Sequence, residues 1–204
     1  KESIIPYLDE VNKEAKKIGA VTTVINHKGF LYGCNTDFLA SSKGLFLDTK
    51  GYKIPKKHSI AVVIGAGGAA RAVCYGLLKL GIHVLIANRT KVKADRIAME
   101  FAEMFKDAEI HSVALEDLGT GDILVNTTSI WTKNPKIKVK DLPYFCKPEY
   151  VNEFQLVMDI SYNPLETPLI KVAKKLGKMF STGDKMLLHQ ALDQFELFTE
   201  KDPP

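Results

Sequence analysis

Apolar positions in this chain follow two rhythms, and the change between them is sharpest from Ile60 to Ala87. Ile60 to Ile64 is a continuous apolar run too short for a helix and closed by Gly65, which predicts a buried strand. Ala70, Val73, Leu77 and Leu80 then recur on one helical face, Gly81 stops that helix, and Val84 to Ala87 is a second apolar strand. Strand, turn, helix, strand is the opening of a βαβ unit.

The same rhythms continue on both sides. Ile5, Leu8, Val11, Ala15 and Ile18 have helical spacing, with Pro6 confining the regular helix to the residues after it and Gly19 ending it. Val21 to Asn26 and Phe30 to Gly33, joined by His27-Lys28-Gly29, predict a hairpin. Leu39, Leu45, Phe46 and Leu47 predict a helix, and a Gly/Lys/Pro loop from Lys50 to Lys57 leads into the βαβ unit. Downstream come a helix over Val92 to Phe105 and strands at His111 to Leu115, Ile123 to Asn126, Leu156 to Ile160 and Met179 to Ser181. Trp131 to Glu153 reads as a long polar insertion with three prolines. Thr167-Pro168 is an N-cap followed by proline at the first helical position. After Gly183, the spacing of Leu187, Leu188, Ala191, Leu192, Phe195 and Phe198 predicts the buried stripe of a last helix, with Gln190 beside it. The fold class is therefore α/β, a Rossmann-like doubly wound and mostly parallel sheet.

Candidate chemistry sits where these strands end. Gly65, Gly67 and Ala70 have the G-x-G-x-x-A spacing of a dinucleotide fingerprint: a tight turn, room for backbone to approach a pyrophosphate, and a small residue for close helix packing. The next strand ends in Asn88, Arg89 and Thr90, with Lys93 behind them, where an NAD site usually has a carboxylate for the ribose. Arg89 can donate to a 2′-phosphate in a planar fork, so the residues read as an NADP site, or otherwise as solvated charges opening a surface helix. Thr127, Thr128 and Ser129 end another strand, where hydroxyls can face a cofactor or simply form a turn. Asn35-Thr36-Asp37 ends the hairpin, and on composition alone Asp37 would serve as a helix cap.

Composition narrows the classes. Of 204 residues, 46% are apolar and 25% charged, as in an ordinary globular chain, and the net charge of +4 is spread out, densest from Lys133 to Lys140, so it does not argue for nucleic acid. Three cysteines without C-x-x-C spacing indicate neither a disulfide framework nor a zinc site, and fit a reducing compartment. No apolar run approaches the roughly 20 residues of a membrane span. A start without Met, inside an amphipathic pattern, leads us to expect residues upstream.

The segments I-G-A-V-T-T, G-C-N-T-D, V-I-G-A-G-G-A-A-R-A, A-N-R-T, N-T-T-S, D-I-S-Y-N-P-L-E-T-P-L and G-D-K-M-L-L-H-Q-A, in this order, resemble the shikimate dehydrogenase family over essentially the whole chain. The resemblance implies a substrate domain split around an NADP domain: residues 1–40 as a remnant of a smaller α/β substrate domain, 41–182 as the NADP-binding Rossmann domain, and 183–204 as a helix returning to the substrate side. It implies reversible oxidation of shikimate to 3-dehydroshikimate by a cytoplasmic, or in plants plastid, enzyme that is a monomer or homodimer.

Lys1 and Asp37 would be the catalytic pair, holding and relaying the hydroxyl proton. Thr22, Asp37, Tyr162 and Gln190 would contact substrate. Gly65, Ala66, Gly67, Gly68 and Ala69 would hold the pyrophosphate; Asn88, Arg89, Thr90 and Lys93 would flank the 2′-phosphate; Thr127, Thr128, Ser129, Ile160, Gly183 and Met186 would border the rest of the cofactor. No metal is implied. The chain departs from the family in lacking its S-x-S and N-V-T segments, in Thr22 where Asn is usual, in Phe38 and Ala40 after N-T-D, and in Ile130-Trp131, which would put a large ring near the nicotinamide entrance. A noncatalytic NADP-binding relative and a dehydrogenase acting on quinate are the other readings.

Overall fold

The computed structural model describes residues 1–46, 58–133 and 142–203. Leu47, the Lys50 to Lys57 loop and most of the lysine-rich stretch after Trp131 lie outside the described residues. The chain opens on a three-stranded sheet of β1 (Glu10–Val11), β2 (Thr23–His27) and β3 (Phe30–Cys34), ordered β1-β3-β2. The hairpin β2-β3 is antiparallel and turns at Lys28 and Gly29, both at positive φ. The single helix expected after Pro6 is broken up instead. A 3-10 turn (Ile5–Tyr7) and β1 precede a short α1 (Lys13–Ile18). Side-chain acceptors divert the backbone: the Leu31 amide donates to Asp9 at 2.7 Å, and Asn12 caps α1 by accepting from the Ala15 amide at 2.7 Å.

After α2 (Asp37–Phe46) come six parallel strands: β4 (Ile60–Ile64), β5 (His83–Ala87), β6 (Ile110–Val113), β7 (Ile123–Asn126), β8 (Leu156–Asp159) and β9 (Met179–Thr182). Their order is β6-β5-β4-β7-β8-β9, so the winding reverses between β4 and β7. The connecting helices are α3 (Gly68–Lys79), α4 (Lys91–Ala102), α5 (Ile130–Lys133), α6 (Pro148–Val151) and α7 (Pro168–Lys175), and α8 (Gly183–Thr199) closes the chain.

Alternation along β4 explains the two layers. Ala61 and Val63 join the core with residues of α2, α3 and α4, while Val62 and Ile64 join Trp131, α6 and α7 on the opposite face. Both faces are covered, which is why the strands read as continuous apolar runs. Each such valine or isoleucine contributes roughly 1.5–3 kcal/mol on burial.

Three expectations change. The described part of the supposed polar insertion covers the sheet, with Phe145, Cys146, Tyr150 and Val151 buried against Phe154. Leu80 is exposed at the end of α3. On α8 the apolar stripe faces outward: Leu188 is 52% and Phe198 60% exposed, and Leu187 and Phe195 are exposed too. The packed side of α8 is mixed, with Met186 buried, Asp193 paired with Lys43 of α2 at 2.9 Å, and Gln194 donating to Thr23 at 3.0 Å. Periodicity identifies an apolar face without saying what covers it.

Candidate active site

Because the six strands are parallel, their carboxyl ends share one edge, and the nucleotide candidates are gathered there. Gly65 to Ala69 follow β4, Asn88 to Thr90 follow β5, Thr127 to Ser129 follow β7, Ile160 follows β8, and Gly183 follows β9. The reversal of strand order between β4 and β7 opens the crevice in which such sheets take ligands. Gly65 has φ +116°, and a Cβ on it would collide with the Thr127 hydroxyl, which donates to the Ile64 carbonyl at 2.8 Å. Gly67 is exposed, with open space where a Cβ would stand. As N-cap of α3 it offers no side chain, so the first N–H groups of a 12-residue helix remain uncommitted.

At the end of β5, Asn88 donates to the Thr90 carbonyl at 2.9 Å and shapes the turn. Arg89, Thr90 and Lys93 are exposed, and the Arg89 and Lys93 side chains form no ion pair with any described residue. The neighbouring Lys91, by contrast, is engaged with Asp95 at 2.6 Å. A fork and an ammonium left free at the end of the strand next to that uncapped helix start suit a phosphate on the ribose. In the hydroxyl run, Thr127 is tied to Ile64 and Thr128 to Asn126 Oδ1 at 2.8 Å, while Ser129 is exposed.

The second group of candidates is carried by the small sheet. Asn35 caps α2: its Oδ1 accepts from the amides of Asp37 at 3.0 Å and Phe38 at 3.3 Å, and its Nδ2 donates to the Ala20 carbonyl at 2.8 Å. The cap is thus Asn35, and Asp37 stands free for another role on the first turn. Asp37 is 1% exposed and Lys1 Nζ donates to its Oδ2. Its Oδ1, also buried, has no hydrogen-bond partner among the described residues. A buried carboxylate with one oxygen held by an ammonium and one unsatisfied is costly unless a donor comes to it.

Thr22 lies beside this pair with its hydroxyl already used, accepting from the Thr36 amide at 2.8 Å and lying 3.1 Å from the Thr36 hydroxyl. The stem of Lys1 runs over the nucleotide turn, since a Cβ on Gly68 would meet Lys1 Cδ at 3.0 Å. The Lys1–Asp37 pair and the helix start therefore meet. Tyr162 is exposed on the loop after β8, Gln190 is half-buried on α8, and neither side chain bonds another described residue. Met186 is buried near Gly44 of α2, and Gly183 packs under the Ile160 carbonyl too tightly for a side chain. A wide cleft lined by Cys34, Thr36, Phe38, Asp193 and Glu196 lies elsewhere and includes neither Lys1 nor Asp37, so chemistry rather than volume locates the site.

Two residues escaped the sequence reading. Asp159, fully buried at the end of β8, accepts from Trp131 Nε1 at 2.6 Å, Thr167 Oγ1 at 2.8 Å and Asn126 Nδ2 at 3.1 Å, and from the Ser161 amide at 3.0 Å. Burial pushes its carboxyl above the usual range against the pull of those four donors. Trp131, expected near the nicotinamide entrance, is 1% exposed in the core and serves this carboxylate. An acid closing an apolar strand was the available signal.

The other is Arg71, buried on α3 amid apolar neighbours, donating to the Ile18 carbonyl and to Glu100. All three cysteines are free and buried, with burial pushing Cys74 up to about 12, so they are poor nucleophiles. Among the described residues no cluster of three or more His, Cys, Asp or Glu could hold a metal, and no helix is long and apolar enough to cross a membrane.

The profile of the shikimate / quinate 5-dehydrogenases matches residues 52–167. A shikimate dehydrogenase (NADP(+)) of Caldanaerobacter subterraneus subsp. tengcongensis is 40% identical over 205 residues, covering 98% of this chain and 69% of that protein. A solved shikimate dehydrogenase in complex with NADP+ superposes with a TM-score of 0.83 at 37% identity, covering 100% of this chain and 69% of that one. The shikimate 5-dehydrogenase of Thermus thermophilus, in complex with NADP(H) and shikimate, gives 0.79 at 33% identity, covering 100% and 71%. With motifs, strand order and likeness to relatives all in agreement over its full length, the chain belongs to the shikimate / quinate 5-dehydrogenase family.

Proposed function

We propose that the chain interconverts shikimate and 3-dehydroshikimate with NADP, using Lys1 and Asp37 to handle the proton. The observation that carries this reading is the unpartnered, buried Oδ1 of Asp37 beside a lysine that lies over the nucleotide turn. NADP, when bound, supplies the hydride acceptor. Everything else falls to the protein.

In the oxidation, the substrate hydroxyl donates to Asp37 Oδ1 and is thereby oriented. Lys1 on Oδ2 balances the carboxylate charge. As hydride leaves the carbinol carbon, the hydroxyl proton passes to the pair, and Lys1, 41% exposed, hands it on to water. In the reduction the same groups return a proton to the forming alkoxide. Gly67 and the start of α3 take the pyrophosphate, while Arg89 and Lys93 take the 2′-phosphate. Tyr162 and Gln190 complete the substrate contacts. In this reading residues 1–40 and 183–204 form the substrate side and 41–182 the nucleotide side.

The test is titration with NADP and with NAD, followed by shikimate addition while NADPH absorbance is watched. We expect NADP to bind tighter, shikimate-dependent reduction to follow, and Arg89→Ala to weaken NADP about 10- to 100-fold with NAD little changed, from the loss of a charge-assisted pair. Equal affinity for both nucleotides, or no reduction of NADP, overturns the reading. Faster reduction with quinate than with shikimate would reassign the substrate.

A further inference from the structure

Arg71 lies on the first turn of α3, where its amide donates to the Gly67 carbonyl at 3.0 Å, and its side chain bridges α4 of the nucleotide unit and α1 outside it. Nε donates to the carbonyl of Ile18, the last residue of α1, and Nη2 to Glu100 of α4. The guanidinium lies over the Phe101 ring at 5.3 Å and against Gly19, where a Cβ would come within 2.7 Å of Nη2. It is 7% exposed. A buried arginine is costly unless its donors are met, and here they are met from two directions.

The segment it grips is bonded to Lys1 and to the residues just before Asp37. Ile18 and Gly19 lead into Ala20, whose carbonyl accepts from Asn35 Nδ2 at 2.8 Å; Val21, whose amide donates to the Lys1 carbonyl at 2.9 Å; and Thr22, whose hydroxyl accepts from the Thr36 amide at 2.8 Å. Asn35 caps the helix on which Asp37 stands. Moving residues 18–22 would therefore move the backbone of Lys1 and the start of α2 together.

We propose that Arg71 is a positioning residue for the reaction: it fixes the Ile18 to Thr22 segment, and through it Lys1 and Asp37, relative to the helix start that receives the cofactor. This rests on the catalytic role proposed above for that pair. A rigid link is what hydride transfer requires, because misplacement by about an ångström can cost about a hundredfold in rate. Glu100 completes the clamp. Burial works to raise its carboxyl, but hydrogen bonds from Arg71 and Arg96 outweigh this and hold it below the ordinary range, so it stays charged opposite the guanidinium.

The experiment compares wild type, Arg71→Lys and Arg71→Met as full chains. In the NADP complex we expect kcat for shikimate to fall at least 30-fold in R71M and less in R71K, with NADP affinity within threefold in both. Amide exchange is the second readout and needs no turnover: Val21, Thr36 and Asp37 should exchange at least tenfold faster in R71M while the amides of β4 and β5 keep their protection. Should R71M not fold, R71K must still show a smaller shift of the same pattern. A kcat within threefold of wild type, or protection lost equally from both sheets, overturns the proposal. Should the wild type itself fail to oxidise shikimate, the function reading fails and the exchange pattern alone decides whether Arg71 positions the segment.

Discussion

At the carboxyl edge of the six-stranded sheet the candidate groups include glycines, uncommitted backbone amides and unpaired cations beside the bonded Asn88, Thr127 and Thr128, whereas beside the three-stranded sheet Thr22, Thr23, Asn35, Thr36 and Asp37 are all bonded to one another or to Lys1 and Gln194. The first arrangement suits a ligand that is large, charged and recognised by its phosphates. The second suits a small ligand that must be oriented at one atom. Their supports differ accordingly: every residue of β7 and β8 is buried, while β2 and β3 are buried mainly at the ends nearer Thr22 and Asn35. A parallel sheet covered on both faces can hold a turn by backbone alone. A small half-exposed sheet has to hold its site by side-chain networks.

The sharpest way to break this contrast is Asp37→Asn. If the orienting oxygen is the reacting contact, kcat should fall about a thousandfold, equivalent to about 4 kcal/mol, with NADP affinity unchanged. A variant that binds NADP poorly would mean that the two halves are not separable. Asp159→Ala tests the reverse, a side-chain network inside the backbone-built half. It strands the donors of Trp131, Asn126 and Thr167, and we expect a loss of about 3 kcal/mol, seen as melting roughly 6–12 °C lower. Melting within two degrees or so of wild type would show that this half does not depend on side chains.

The smallest effect concerns the link between the halves. Glu100 has a folded-state carboxyl below its ordinary value of 4.5, so its contribution is complete above that pH and is lost as pH falls through the lower folded value. Melting followed from pH 6 to pH 3 should drop in that window, and Glu100→Gln should flatten part of the drop. Because the side chain is one-third exposed, the difference should be only about one or two degrees. A difference centred above pH 5 would assign it to another group.

Much of the nucleotide half was legible because local rules suffice there. A short apolar run, a glycine spacing and the residue at the end of the next strand are all sequence-adjacent signals, and β4, α3 and β5 stand where they point. Residues that work across long separations were not legible from spacing. Trp131 and Asp159, 28 residues apart, meet only because β7 and β8 are neighbours, and Arg71 finds Ile18 from 53 residues away. The first eighteen residues misled for another reason. Asn12 offers a local acceptor that starts α1 late, and Asp9 is drawn to the distant Leu31 amide of β3, so together they interrupt a helix whose apolar spacing is sound.

The outward apolar face of α8 has a thermodynamic consequence. Leu187, Leu188, Phe195 and Phe198 are hydrated before the chain unfolds as well as after, so their exposed surface adds nothing to the heat capacity of unfolding. For this chain the curve of stability against temperature is correspondingly shallower than for one of equal length whose last helix is covered on both sides. Its free energy of folding therefore bends less between cold and warm, and cold denaturation is pushed to lower temperature.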